Sequence, residues 1–409
     1  MHDYVIILFL HLMNHLLMFT LPTLILFFRE DFGLSYTDTG VLWTSLIVTM
    51  TLLSIGVGFF SDRHRGKRYP LMFAGLVVMV LGWALLPFSV NKIQIQMYFI
   101  LIGIGASAFH PPAMAIITEM FEDDKGKALS INMAVGMGGT AVSPLIFAGL
   151  AILVGGWKNV AFTISIVGIF LLLVTFLLSL QSGIFSRTNW KITIENGEKT
   201  TSSSNEKIGH SYDISFIFAP LVLIPLLFIS VRSSFFRTAS VFTSLLYEDY
   251  LSLTKNEATV ATAIVLGVAS MFTLVGGNLS DRTKPRNAIL ISGSGSMLAS
   301  IALVYATDYN NLISFSSIYF LLLAFYYIGS PASSALLADR VNKEQRGKLF
   351  GALFSIGQVL SLASPLVFGF IKDTLGLGSA FFFIMSLAIL AFFIALYIYQ
   401  EEVKREKST

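Results

Sequence analysis

The chain has 409 residues, of which 55% are hydrophobic and 12% charged, with a mean hydropathy of +0.76 and a formal net charge of +3. A soluble domain carries about 25% charged residues, so this composition leaves too little polar surface to face water and excludes a soluble globular protein. The absence of cysteine excludes disulfides, thiolate chemistry and Cys-ligated metals.

Apolar runs of about 20 residues, long enough to cross a hydrocarbon core of roughly 30 Å, recur along the chain. They read as helices, because barrel strands would alternate in polarity over about 10 residues. In chain order the spans are 4–28, 37–60, 69–89, 93–121, 127–154 and 159–180, then 214–246, 257–280, 287–306, 311–338, 348–371 and 378–399. The first starts at Tyr4 with no basic segment before it and no small-residue cleavage site after it, so it is expected to be a retained helix rather than a signal peptide. Between the sixth and seventh lies Gln181 to Asp213, rich in Ser, Thr, Asn, Lys and Glu, which cannot bury enough apolar surface to order itself. The expected fold is an all-α polytopic membrane protein of twelve helices. A six-helix bundle occupies 1–180, a cytoplasmic linker 181–213, a second six-helix bundle 214–400 and a cytoplasmic tail 401–409.

Basic residues set the orientation. With the N-terminus inside, twenty Lys and Arg residues fall on the cytoplasmic side, in 63–68, 125–127, 187–207, 282–286, 340–348 and 404–407. The outer side holds Arg29, Lys92, Lys158, Lys255 and Lys372. This asymmetry predicts a multi-pass protein of the plasma or inner membrane with both termini cytoplasmic.

The halves repeat. Gly58 and Asp62 recur as Gly277 and Asp281 at an offset of 219, and Pro112-Ala113 recurs as Pro331-Ala332 at the same offset. Glu119 recurs as Asp339 at 220, and Ser143-Pro144 as Ser364-Pro365 at 221. Duplicated halves with a substrate site between them near midplane are a transporter architecture.

The stretch "GFFSDRHRGKR" (58–68) and its fainter copy "GNLSDRTKPR" (277–286) resemble the loop motif G-x-x-x-D-R-x-G-R-R of the major facilitator superfamily. The first copy has one extra residue, Arg65, before Gly66, and the second has Lys284-Pro285 in place of the glycine. The resemblance implies a fold of two six-helix pseudo-repeats and a cytoplasmic charge network that closes the outward-open state. Carried onto this sequence, that gate is Gly58, Asp62, Arg63 and Glu119 in one half and Gly277, Asp281, Arg282 and Asp339 in the other, with Arg340 and Arg346 as nearby basic members. Lys67, Arg68 and Lys284 are expected only to anchor their loops inside. Four stretches, "HLMNH" (11–15), "FGLSYTDTG" (32–40), "GASAFHPPA" (105–113) and "SINMAVGMGGTAVSPL" (130–145), are similar to the fosmidomycin-resistance-like branch, which is associated with drug efflux by proton exchange. His15 stands where that branch has an aspartate.

Ionisable groups inside a bilayer are functional candidates by default. His11, Asn14 and His15 are spaced i, i+3 and i+4 on one helix face. Unperturbed imidazole titrates near 6.5, so His11 and His15 are candidate proton carriers, and simple packing of neighbouring helices is the alternative. His110 precedes Pro111 and Pro112, which permit a break in the helix where it lines a cavity. Arg232 falls near the centre of the seventh span and Arg237 follows it, while no Asp or Glu occupies the middle of any span. Arginine stays charged and forks toward carboxylate or phosphate, so an anionic ligand is expected to supply the counter-charge. The alternatives are that helix carbonyls, Asn14 or Gln358 hold Arg232, and that Arg237 snorkels outward. Tyr326, Tyr327 and Gln358 are further polar cavity-lining candidates.

A Walker loop, a His-Glu-x-x-His helix and a Gly-x-Ser-x-Gly elbow are all missing from the sequence. The expected protein is not an enzyme: no catalytic residue, metal or cofactor is assigned. It is a secondary active transporter of a small organic anion, proton-coupled and monomeric, whose partners are its substrate, protons and the lipid bilayer but not nucleic acid. A drug efflux antiporter is the alternative within the same class. A transport-fold sensor and a membrane-embedded enzyme are the alternatives from other classes.

Overall fold

The computed structural model describes residues 2–121, 125–187, 215–306, 311–341 and 359–408, almost all of them helical. Helices α1 (His2–Phe19) and α2 (Leu21–Phe32) form one span, broken just before Pro22. The second and third spans are α3 (Tyr36–Arg63) and α4 (Arg68–Leu85). The fourth is broken into α5 (Lys92–Ser107) and α6 (His110–Met120), and α7 (Lys125–Val154) and α8 (Trp157–Ser182) complete the half. The second half runs α9 (Pro220–Asp249), a broken pair α10 (Lys255–Ser270) and α11 (Phe272–Thr283), α12 (Pro285–Ala306), α13 (Leu312–Asp339), α14 (Val359–Leu375) and α15 (Leu377–Ser408). Among the described residues eleven spans are long and apolar enough to cross a membrane. Helix α14, of 17 residues, overlaps the remaining expected span, 348–371. The predicted architecture of two six-helix repeats is the one observed.

The duplication reaches into backbone detail. Ser35 and Asp38 form a reciprocal capping box at the start of α3, and Thr254 and Glu257, 219 residues later, form the same box on α10. Each box satisfies two backbone donors that the first helical turn leaves open. Asn91 caps α5 and Asn311 caps α13 through the same side-chain oxygen. The turn before each capping box needs a left-handed residue, supplied by Gly33 at φ 58° in the first half and by Ser252 at φ 55° in the second.

Within the halves, α1 packs on α7, α4 on α5 and α8, and α12 on α13 and α15. Small residues set the tightest crossings: a Cβ on Gly75 would lie 2.5 Å from the carbonyl oxygen of Gly105, so α4 and α5 meet backbone to backbone. Large apolar side chains such as Leu153, Leu274 and Ile313 point outward, as a lipid-facing surface requires. Between the halves, α3 lies on α14 and α7 on α10. These are spans two against eleven and five against eight, the pairing expected when the repeats are related by a twofold axis.

The halves are joined at the end that carries Gly33–Tyr36. Arg29 binds Asp249 at 2.7 Å and Lys255 binds Glu30 at 2.6 Å. The Asp373 carboxylate accepts from the backbone N–H groups of Tyr36 and Thr37, at 3.3 and 2.7 Å, and from the Thr37 hydroxyl. A Cβ on Gly40 would lie 2.7 Å from the backbone of Pro365 and Leu366, so only glycine lets α3 and α14 approach this closely. Deeper in, the Thr44 hydroxyl donates to the Leu362 carbonyl at 3.1 Å. Among the described residues, the polar contacts between the halves all lie toward this end, and those at the opposite end, around Ser61–Arg68, stay within a half.

Candidate functional site

The break between α5 and α6 places a histidine where a continuous helix would not. Pro111 and Pro112 lack backbone donors, so α6 starts afresh at His110 with both prolines in its first turn. That start faces α1. His110 meets the rings of His11 and His15 at centroid distances of 5.2 and 5.7 Å, and His11 and His15 lie 4.7 Å apart. His11 is 2% exposed, whereas His15 and His110 are only partly buried. The wall behind them is α7, whose Asn132, Gly136 and Thr140 succeed one another at four-residue spacing on one face. Asn132 Oδ1 lies 3.0 Å from His11 Nδ1 and Thr140 Oγ1 lies 2.8 Å from His15 Nδ1. Gly136 leaves the room they need, since a Cβ there would stand 2.6 Å from His11 Nε2. Asn132, Gly136 and Thr140 lie in the stretch 130–145 quoted above, and their four-residue spacing puts them on one helical face, but nothing in the sequence brings that face to His110 or the α1 pair. Asn14, on the same turn of α1, faces away to α4, where its amide donates to the Met79 sulfur at 3.4 Å.

Arg232 lies in the middle of α9 and is 2% exposed. Its guanidinium donates to the carbonyl of Tyr326 in the turn of α13 that precedes Pro331. The guanidinium carbon is 4.4 Å from the Tyr326 ring centroid and 5.5 Å from that of Phe228, a cation held on aromatic faces. Tyr326 in turn stacks on Phe236 at 3.8 Å, and Tyr327 packs edge-on against both. Among the described residues no carboxylate pairs with Arg232, and its Nε has no hydrogen-bond partner. Arg237 is half-buried on the same helix. Gln358 lies outside the described residues. Tyr326 is 8% and Tyr327 2% exposed, so both are packed around Arg232 rather than spread over an open wall.

At the Ser61–Arg68 end the charges assemble differently from the expected gate. Glu119 binds Arg68 at 2.8 Å and Arg65 at 3.8 Å, and Asp62 lies 3.8 Å from Arg68. Arg68, expected only as an anchor, is buried at the centre of this network, while Arg63 is exposed and makes no ion pair among the described residues. A 3-10 turn over Arg65–Lys67, which contains the extra residue, leads into Arg68, whose Nε donates to the Ser61 carbonyl at the end of α3. In the second half Asp281, Arg282 and Asp339 are exposed and unlinked among the described residues. Arg340 instead binds Glu402 at 2.6 Å and Glu401 at 3.4 Å, and Arg286 and Lys284 bind Glu406. These acids belong to the last turns of α15, which runs unbroken through the stretch expected to be a tail. Gly58 sits beside Pro111, whereas open space surrounds Gly277. Arg346 lies outside the described residues.

The sequence profile of the Major Facilitator Superfamily matches residues 7–330. YfnC of Bacillus subtilis strain 168, described as an uncharacterized MFS-type transporter, is 24% identical over 386 residues, covering 93% of this chain and 90% of its own length. Two further relatives match over about a third of their length. A probable L-galactonate transporter of Escherichia coli K12 is 31% identical over 144 residues, 35% of this chain and 31% of that protein. The multidrug resistance protein MdtG of Rahnella sp. strain Y9602 is 26% identical over 162 residues, 38% of each chain. Two solved structures of a bacterial homolog of the human lysosomal transporter Spinster, inward-facing and either occupied or unoccupied, have the same fold. Their TM-scores are 0.75 and 0.79 at 16% and 15% identity, over 97% and 98% of this chain and 96% and 97% of theirs. With its spans in two repeats, eleven of them found whole among the described residues, and a family profile over most of its length, this multi-pass membrane protein belongs to the Major Facilitator Superfamily of transporters.

Proposed function

We propose that the chain is a secondary active transporter that moves a small organic anion, a carboxylate or phosph(on)ate, by alternating access, coupled to protons carried at His11 and His15. The observation that carries this reading is Arg232, buried at midspan with no carboxylate partner among the described residues. A charge at that depth costs several kcal/mol unless it is compensated, and a planar fork matches an anionic oxygen pair. Arg237, His110 and Gln358 are the further substrate contacts of this reading, while Tyr326 and Tyr327 pack around Arg232 and Asn14 turns to Met79. L-Galactonate, the cargo named for one partial relative, is a carboxylate, which agrees with this chemistry. The likeness to the fosmidomycin-resistance-like branch rests on the four stretches quoted above and places phosphonates among the anions to be tried.

The bundles over 1–180 and 214–400, joined by the linker over 181–213, are the two rocking bodies. The basic Ser61–Arg68 end is cytoplasmic by the charge asymmetry, so the joined end faces outward and the described state is inward-facing. The ion pairs of Glu119 and Asp62, with the Asp281, Arg282 and Asp339 copy, form the gate that engages when the cytoplasmic end closes. Efflux of drugs is the second reading, favoured by the partial match to MdtG. A cationic drug would find no acid at midspan, so the efflux reading also takes anionic or neutral cargo.

A thermal-shift screen of the purified protein tests the anion. Carboxylates or phosphonates raise the melting temperature, and Arg232→Ala removes that shift. Stabilisation by cations alone, or an anion shift that survives Arg232→Ala, rejects the reading. Internal pH recorded in proteoliposomes during substrate addition tests the coupling, which is lost in the His11→Ala/His15→Ala protein.

A further inference from the structure

The histidine cluster contains more than two proton carriers need. His11 and His15 share a face of α1 and His110 opens α6 opposite them, and one donor nitrogen from each of the three lies within 4.8 Å of the others. Two of the rings are oriented from behind. Asn132 Oδ1 can only accept, so His11 Nδ1, 3.0 Å away, carries the ring proton. The Thr140 hydroxyl directs its own hydrogen to the Gly136 carbonyl at 3.4 Å, which leaves its oxygen to accept from His15 Nδ1–H. Both Nε2 atoms then present lone pairs to each other across 3.2 Å. Two lone pairs at that distance repel unless a proton or a metal cation lies between them, and the third imidazole of His110 gives a metal ion a further ligand.

We propose that His11, His15 and His110 form a binding site for one borderline-soft divalent transition ion, with Zn²⁺ as its representative. Nitrogens on a tetrahedral Zn²⁺ at about 2.0–2.1 Å stand roughly 3.3–3.4 Å apart, close to the separation of the two Nε2 atoms here. Outer hydrogen bonds that fix the tautomer and aim the free nitrogen, as Asn132 and Thr140 do, are the usual companions of metal-binding histidine. An all-imidazole donor set selects Zn²⁺, Ni²⁺ or Cu²⁺ over Mg²⁺ and Ca²⁺, which take oxygen ligands. The vacant Cβ position of Gly136, 2.6 and 3.1 Å from the two Nε2 atoms, keeps the flank of the pair clear. Three histidines leave a fourth position for water or for an oxygen of an anionic substrate. The site stands on the geometry of the cluster and is independent of Arg232, so its test and the anion screen fail separately.

Equilibrium titration of the tag-free, full-length protein with Zn²⁺ against a chromophoric chelator decides it. One Zn²⁺ binds per chain, is not displaced by millimolar Mg²⁺, and is retained when His2 and His64 are both replaced by alanine. His15→Ala and His110→Ala each weaken binding by at least about tenfold. Gly136→Ala, which keeps all three ligands and fills the space beside them, weakens it by a similar factor. Absence of stoichiometric Zn²⁺ binding by the unaltered protein overturns the proposal whatever the variants do. So does binding that is unchanged in both His15→Ala and His110→Ala.

Discussion

Arg68 keeps 3% of its surface exposed and holds Glu119 at 2.8 Å, so its charge is desolvated and depends on that carboxylate. Removing one member of a fully buried pair costs about 3–5 kcal/mol, because the other is left buried and uncompensated. The Glu119 side chain is 27% exposed, and water recovers part of that loss, so Arg68→Ala is expected to cost about 2 kcal/mol. Arg63, exposed one turn earlier, is expected to stay within about 0.5 kcal/mol when replaced by alanine. Thermal unfolding of the two variants in detergent makes the comparison, and equal losses would show that the network does not rest on Arg68. Combining Arg68→Ala with Glu119→Ala restores part of the stability, because the acid no longer lacks its partner.

At the scale of the helix, the same turn is built twice from different residues. Gly33 occupies the left-handed region without a Cβ to clash, while Ser252 occupies it with one. That conformation costs an L-residue about 1–2 kcal/mol. Gly33→Ala is therefore expected to destabilise by about 1 kcal/mol. Ser252→Gly relieves the strain but makes the unfolded chain more flexible, an opposing term of about 0.4–1 kcal/mol, so its net effect is smaller. Melting temperatures of the two variants check the asymmetry; a large gain from Ser252→Gly would show that flexibility of the unfolded chain matters less than assumed. The duplication itself was legible in the sequence because offsets of 219 to 221 survive substitution, and apolar run length marked the spans, but this turn was not, since Gly33 and Ser252 share no residue type. The depth of Arg232 and the break at His110 were legible as well, since both depend on local chemistry. The meeting of His110 with His11 was not, because 99 residues separate them and helix rotation about the bundle is a tertiary quantity. Nor was the pairing of Arg340 and Arg286 with α15, since acidic residues at the end of a chain look like a solvated tail until the helix continues through them.

For the molecule as a whole, the question is what keeps the Gly33–Tyr36 end shut. A transporter exchanges two states whose free energies must lie close together, so no single contact at a closed end is expected to be strong. The exposed pairs Arg29–Asp249 and Lys255–Glu30 are each worth about 0–1 kcal/mol. Asp373 is different in kind. It comes from α14 of one half and accepts from the first two backbone N–H groups of α3 in the other, so it meets the positive end of that helix across the interface. Asp373→Asn retains the side-chain shape and one acceptor but removes the charge, a loss of about 1–2 kcal/mol. That is a factor of about 5–30 in the balance of states. The chain contains no cysteine, so Thr44→Cys, beneath the closed end, gives a single thiol to report it, and every comparison is made within that background. In intact vesicles a membrane-impermeant maleimide supplied from the Gly33–Tyr36 side labels that thiol slowly. Adding Asp373→Asn is expected to raise the rate by about 5–30-fold, with no such rise when the reagent is supplied from the other side. An unchanged rate would mean that Asp373 does not restrain opening, and that the backbone contact of Gly40 with Pro365 and Leu366 holds this end closed on its own.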